Sequence, residues 1–260
     1  VSRTALLVDA DILAYQFAAK GQRVYEFGIA VDDLDEVTPK VDEWLAALKD
    51  RLDTDLVVIC LSCPSDQGWR KAVLPTYKEN RATVVKPELL LPIKGWLEAT
   101  YPSYRRPKLE ADDIMGILST MDGLPRNFLE AHPEFAKVRK KVIVSEDKDM
   151  RTIPGWLFNP AKDSAPRWVT PEEADRWHLY QSLVGDSTDN YKGCPGIGPK
   201  KAERILDAPG ELPPWQRVVA AYAARGLTEE DALVQARVAR ICRAEDYDFK
   251  AKEVRLWTPA

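Results

Sequence analysis

Eight acidic residues stand in four groups along the chain: Asp9; Glu110, Asp112 and Asp113; Asp147 and Asp149; Asp186 and Asp189. Gathered at one place, eight carboxylates could not all stay ionised without cations. Hard oxygen ligands suit Mg2+ or Mn2+, and Mg2+ usually keeps several of its waters. A pair of such ions stabilises both the attacking and the leaving oxygen of an in-line phosphoryl displacement. The two histidines, His132 and His178, lie away from all four groups. The chemistry therefore points to water activated by metal rather than to imidazole.

The last pair of acids runs directly into a glycine-rich turn, Gly193, Gly196 and Gly198, and then into Lys200, Lys201 and Arg204. Carboxylates repel phosphate unless a cation lies between them, so this juxtaposition suggests a nucleic-acid backbone held close to bound metal. The turn is not a P-loop, because Pro199 follows Gly198 where that motif needs Lys and Ser or Thr. Gly-Ile-Gly-Pro-Lys-Lys-Ala fits a helix–hairpin–helix turn instead. Its glycines admit a phosphate close to the backbone, and the N–H groups of the next helix point at it. Such contacts hold duplex DNA without reading its bases. A second basic stretch, residues 70–108, carries nine Lys or Arg against three Glu, a net of +6. Within it Tyr77, Lys78 and Arg81 could line a channel for a single strand, charge on phosphate and ring on base. From charge alone, an exposed basic loop accounts for the stretch equally well.

The elements that must position these residues follow from hydrophobic pattern. ALLVD (5–9), LVVICL (56–61) and Val142–Val144 are continuous apolar runs, the mark of strands buried on both faces of a parallel sheet. In such sheets ligands sit outside the carboxyl ends of the strands, so Asp9, Asp147 and Asp149 are expected at one rim. Residues 11–20, 41–48, 88–100 and 109–118 read as helices, and residues 155–160 as a further short strand. Glu110 and Asp113 are neighbours on one helix face, where like charges repel, although acids at a helix start are also favoured by its dipole. From Pro171 onward the chain reads as helical, and EVRLWTP is expected to return against the core.

The chain has 260 residues, 45% hydrophobic and 30% charged, enough for a real core. Its net charge of −4 argues against nucleic acid only superficially, since neutralising eight carboxylates would leave +4. No apolar run approaches a membrane span, and the chain start lacks a signal-peptide pattern, so a cytoplasmic protein is expected. Cys60 and Cys63 form a C-x-x-C. Cys60 lies inside an apolar run and no second pair exists, which reads as buried thiols rather than zinc or redox chemistry.

LLVDAD, WRKAVLPTYKENR, LEADDIMG, VIVSEDKDM, GDSTDNYKGCPGIGPKKAERI and the ending ARICRAEDYDF…EVRLW together resemble the 5′-nucleases, the flap endonucleases and 5′-3′ exonucleases, and among them the bacteriophage enzymes. The match runs from residue 5 to the C-terminus in family order. The resemblance implies an α/β, PIN-like fold: a mainly parallel central sheet flanked by helices, with a helical arch at about 72–100. It implies a catalytic domain over 1–175 and a helix–three-turn–helix DNA-binding region over 176–260. Asp9, Glu110, Asp112 and Asp113 would hold the first of two Mg2+ or Mn2+ ions; Asp147, Asp149, Asp186 and Asp189 would hold or orient the second. Tyr77, Lys78 and Arg81, preceded by Arg70 and Lys71, would grip the 5′ strand and the scissile phosphate. Gly196, Gly198, Lys200 and Lys201 would grip the duplex, and Gly193, Gly196 and Ile197 would offer backbone carbonyls to K+. The implied partners are double-stranded DNA with a 5′ end or 5′ flap and an RNA–DNA hybrid, in host cytoplasm for a phage-encoded chain. The family usually has another Asp at the end of the second strand. Here Ser62, Cys63, Pro64, Ser65 and Asp66 follow, leaving Asp66 as the candidate substitute.

Three other readings are open to these motifs. VDAD and GDSTD resemble the acidic motifs of haloacid-dehalogenase-type phosphatases, with Asp9 as nucleophile and Asp11 as acid/base, but that leaves EADD, TYKENR and the hairpin unused. A non-catalytic DNA-binding module would use the hairpin alone. A PIN-type ribonuclease shares the core and normally lacks the hairpin.

Overall fold

The computed structural model describes residues 3–25, 28–64 and 67–259. In chain order the first half contains β1 (Arg3–Asp9), α1 (Ala10–Lys20), the antiparallel pair β2 (Gln22–Tyr25) and β3 (Gly28–Val31), α2 (Leu34–Arg51), β4 (Leu56–Leu61), α3 (Arg70–Val73), α4 (Leu90–Thr100), β5 (Ser103–Arg105) and α5 (Ala111–Thr120). The second half adds α6 (Arg126–Ala131), β6 (Val138–Val144), β7 (Gly155–Phe158), β8 (Arg167–Val169), α7 (Pro171–Val184), α8 (Pro199–Leu206), α9 (Pro214–Ala223), α10 (Glu229–Ala239) and the short pair β9 (Tyr247–Asp248) and β10 (Glu253–Val254). The expected strands and helices are present. The pattern had not marked β2, β3, β5, β8 or α6, which are short or carry little apolar periodicity.

The sheet runs β5-β4-β1-β6-β7-β8, parallel except for the last pairing. Alternation along each strand splits its apolar side chains between two faces. Leu6, Val8, Ile59, Val144 and Phe158 meet α1, α2 and α4 on one face. Leu7, Val58, Cys60 and Ile143 meet α5, Ile241, Cys242 and Tyr247 on the other. Helices α7 to α10 close a third cluster around Leu183, Ala202, Val218, Tyr222 and Ala236. A boundary at residue 175/176 therefore divides the chain but not the packing: residues 241–247 belong to the core of the sheet domain.

Register makes the rim. Asp9 pairs with Cys60 and Val8 with Val144, so the carboxyl ends of β1, β4 and β6 lie side by side. Trp69, just before α3, packs on the α5 face, whereas Ile93 and Leu97 of α4 pack on the opposite face. The connection 74–89 must cross that rim, and its only helical turn is the 3-10 segment Glu79–Arg81. Among the described residues no helix is long and apolar enough to cross a membrane.

Candidate metal and nucleic-acid site

Asp9 ends β1 and caps α1. Its Oδ1 accepts from the Ile12 N–H at 3.1 Å, and its Oδ2 accepts from the Ser145 hydroxyl at 2.9 Å. Ser145 follows β6 directly, so two neighbouring strand ends are tied together. The same hydroxyl accepts from the Asp147 N–H at 3.1 Å. Asp147 caps the turn Lys148–Thr152 by accepting from the Asp149 N–H at 2.7 Å, and Asp149 accepts from the Gln181 amide of α7 at 2.6 Å. Burial, together with Asp11 and Asp147, pushes the Asp9 carboxyl up to about 7. Burial and Asp147 push Asp149 up to about 7 as well. Burial raises Asp112, with Asp9 and Asp147 adding to it, and raises Asp147, with Asp189 adding. Among the described residues Asp9, Asp112 and Asp147 have no ion-pair partner within 4.0 Å. Hard oxygens crowded together with no cation of their own fit a divalent metal ion. Among the described residues no group of three or more His, Cys, Asp or Glu side chains is arranged to hold a metal ion as it stands.

The other four acids face resident cations. Glu110 caps α5 in a box with Asp113. Lys78 Nζ donates to Glu110 Oε1 at 2.6 Å and Arg70 donates to Oε2 at 3.0 Å. Burial alone would raise Glu110, but Lys78 and Arg70 hold it below the usual range. Arg81 pairs with Asp189. The Tyr77 hydroxyl lies 3.0 Å from both Glu110 Oε2 and Asp189 Oδ2, and its one proton serves one of them at a time. Burial opposes ionisation of Asp186, yet the Lys148 ammonium at 2.7 Å and the Thr188 N–H keep its carboxyl low.

Backbone bonds fasten the rim-crossing segment to the acids. Lys78, in the left-handed region at φ 55°, donates its N–H to the Asp189 carbonyl at 2.9 Å. Asn80 donates to the Ser187 carbonyl, Arg81 to the Thr188 carbonyl, and Asn190 to the Thr76 carbonyl. Beyond them, Gly185 (φ 72°) and Gly193 (φ 63°) touch backbone to backbone; a Cβ on either would lie 2.4 Å from the other strand. Asp186 and Tyr191 exchange both N–H bonds, closing the loop that carries Asp186 and Asp189. Nine residues beyond Asp189, Gly198 caps α8, with Gly196, Lys200, Lys201 and Arg204 exposed. Lys201 Nζ donates to the Gly196 carbonyl at 2.9 Å, so a resident cation already serves one of the carbonyls expected to face K+.

No protein-family model matches the chain. It is 32% identical over 236 residues to the exodeoxyribonuclease of Enterobacteria phage T3, covering 77% of this chain and 73% of that protein. It is 33% identical over 233 residues to the exonuclease of Escherichia phage T7, covering 77% and 74%. The chain belongs to the 5′-nuclease family. The fold of this 5′-nuclease is shared with a bacteriophage T5 flap endonuclease solved as a pseudo-enzyme–product complex with DNA and metal ions: TM-score 0.59, 16% identity, 91% of this chain and 89% of that one.

Three residues of the 5′-nuclease differ from their expected roles. Arg70 is not at a DNA surface. It is 3% exposed, and all five of its N–H donors are used, on Glu110, twice on Asp113, and on the carbonyls of Val238 and Arg240. Asp113 is not free to hold metal. It is 0% exposed and accepts from Arg70 twice, from Trp69, and from the N–H groups of Glu110 and Cys242. Tyr77 offers no ring face to a base, because it is 5% exposed and packed on Tyr191, Val238 and Ala239. Lys71 is half-buried on α3. Asp66 lies outside the described residues. At the end of β4 the Ser62 hydroxyl accepts from the Ala111 N–H at 2.8 Å and so seats α5. Cys60 and Cys63 are both buried. The phosphatase reading finds no support: Asp9 is a helix cap, and the family is a different one. Lys148, Ser145 and Gln181 also hold acids of the site, bonded to Asp186, Asp9 and Asp149, with no role assigned to them by the sequence motifs. Lys148, set between Asp147 and Asp149, was the one with a local signal.

Proposed function

We propose that this chain hydrolyses phosphodiester bonds near the 5′ end of duplex or flapped DNA, as a metal-dependent 5′-nuclease using two Mg2+ or Mn2+ ions. The observation that carries this is the set Asp9, Asp112, Asp147 and Asp149: buried or half-buried, raised by that burial and then by neighbouring carboxylates, and fixed on one rim. When bound, the ions would stabilise the attacking and leaving oxygens of an in-line displacement. Asp9 and Asp112, with Glu110, are assigned to the first ion. Asp147 and Asp149, with Asp186 and Asp189 partly through water, are assigned to the second.

Lys78 and Arg81 sit above these acids on the segment that crosses the rim, where they would orient the scissile phosphate. Gly196, Gly198, Lys200 and Lys201 would hold the duplex backbone, and the closed loop 185–193 would set how far from that grip the cut falls. K+ would sit at the carbonyls of Gly193 and Ile197. Because backbone contacts read no bases, an RNA–DNA hybrid is a second substrate of the same grip. The relatives are named as an exodeoxyribonuclease and an exonuclease, which favours cutting from a DNA end; the 5′ polarity and the host-cytoplasm setting belong to this proposal. In this reading residues 1–175 carry the chemistry and the helical part of 176–260 the grip. The test is incubation of 5′-flap and blunt duplex DNA with Mg2+, with and without EDTA. EDTA-sensitive release of 5′ products is expected, and its absence would sink the reading.

A further inference from the structure

A pocket of about 460 Å3 opens beside the acid rim, and none of the roles above uses it. Tyr15, Gln16 and Lys20 of α1, Trp44 of α2 and Glu146 line it. Glu146 lies between Ser145, which is bonded to Asp9, and Asp147. Its Oε1 accepts from Gln16 Nε2 at 2.9 Å.

The pocket and the hairpin lie on opposite sides of the rim. Helices α1 and α2 cover one face of the sheet, whereas α7 joins the core on the other face through Ala174 and leads, through the cluster it shares with α8, to the hairpin. A strand held at the hairpin and crossing the acids is therefore led toward the pocket. This inference rests on the nuclease reading for the direction of that strand. We propose that the pocket receives one unpaired nucleobase of the cut strand, next to the scissile phosphate.

The lining has the chemistry for it. The Tyr15 ring is 47% exposed and Trp44 is half-buried, so both offer faces on which a base can stack. Glu146 keeps a second oxygen, and Gln16 keeps an acceptor and an N–H, for the edge of that base. A carboxylate accepts from an amino group such as cytosine N4. The site should therefore favour cytosine over thymine. Lys20 supplies a cation at the mouth for an adjoining phosphate.

The test uses the full chain and 5′-flap duplexes in which one nucleotide at a time, on either side of the cut, is abasic. Kd is read by titration, and KM and kcat are read in Mg2+, for the native protein and for Tyr15→Ala. One unpaired position should stand out. Its abasic form should raise Kd and KM about fivefold with kcat nearly unchanged, as loss of one stacked base implies. Tyr15→Ala should raise both by a similar factor and be indifferent to that abasic site. Cytosine should be preferred to thymine there, and Glu146→Gln should erase the preference. If no position stands out, or if the abasic effect is equally large in Tyr15→Ala, the pocket does not bind a base. Loss of all EDTA-sensitive cutting in the native protein would instead overturn the nuclease reading, and the Kd series would still decide the pocket.

Discussion

The seam between α5 and the C-terminal segment, and the rim above β1 and β6, are both built on buried aspartates, and the two are built oppositely. At the seam Asp113 meets a guanidinium that is itself buried and saturated. At the rim Asp9 is buried to much the same degree, but its donors are a neutral hydroxyl and a backbone N–H, and its charged neighbours are acids. Burial is common to both, and the charge of the partner separates them. A buried acid that is paired becomes scaffold. A buried acid left among other acids is held at a standing cost, which a bound cation would offset.

The sharpest way to break this contrast is Arg70→Met. It would leave Asp113 without its counter-charge and the carbonyls of Val238 and Arg240 without their donors. Removing one partner of a buried pair costs about 3–5 kcal/mol. Urea unfolding should show a loss of that size. A stability change within experimental error would mean that Asp113 is not scaffold.

At the rim, Asp147→Asn with Asp149→Asn should lower cleavage about 100-fold or more while DNA binding persists. Stability in EDTA should not fall. A carboxyl raised from 3.8 to about 7, as for Asp149, binds protons more readily folded than unfolded. It therefore weakens the fold as pH rises from about 4 to 7. A carboxyl held low, as for Asp113, does the reverse: its contribution is present above 3.8 and lost as pH falls through its folded value. EDTA-treated protein should thus gain stability from pH 7 toward 4.5 and lose it at lower pH, and the double variant should lose much of the gain. A flat profile over pH 4.5–7 in the native chain would contradict the raised carboxyls.

Strand ends and the hairpin were legible because their signals are local. An apolar run followed by an acid marks β1 and β6, and glycines beside lysines mark the entry to α8. The scaffold role of Arg70 was not legible, because its partners Val238 and Arg240 lie 168 and 170 residues away and no spacing rule reaches that far. A comparable separation hid the burial of Tyr77 against Val238 and Ala239. Glu110 and Asp113 showed both of the forces weighed for them. They form a capping box, and the repulsion between them is relieved by one arginine bonded to both.

Gln181 links the two halves of the molecule and gives a smaller effect. It is 4% exposed, its Nε2 holds Asp149, and its Oε1 has no protein partner. Gln181→Leu should keep the fold, since it removes an unsatisfied oxygen along with the donor. Asp149 would lose its orientation, and the Mg2+ concentration for half-maximal cutting should rise about tenfold. A change in DNA affinity at constant Mg2+ requirement would place Gln181 in the grip rather than at the rim.

The smallest effect separates grip from chemistry. Lys200 is exposed at the start of α8, where a cation near the helix N-terminus is unfavourable for the helix itself. Its removal should therefore not harm the fold. If it meets a phosphate, Lys200→Ala should weaken duplex binding uniformly across sequences and reduce the slope of log affinity against log salt by about 1. At saturating DNA kcat should stay unchanged, because no acid of the rim touches Lys200. An unchanged salt slope would move the duplex grip elsewhere on the helical region. A fall in kcat at saturation would join the grip to the rim and dissolve the division of labour between them.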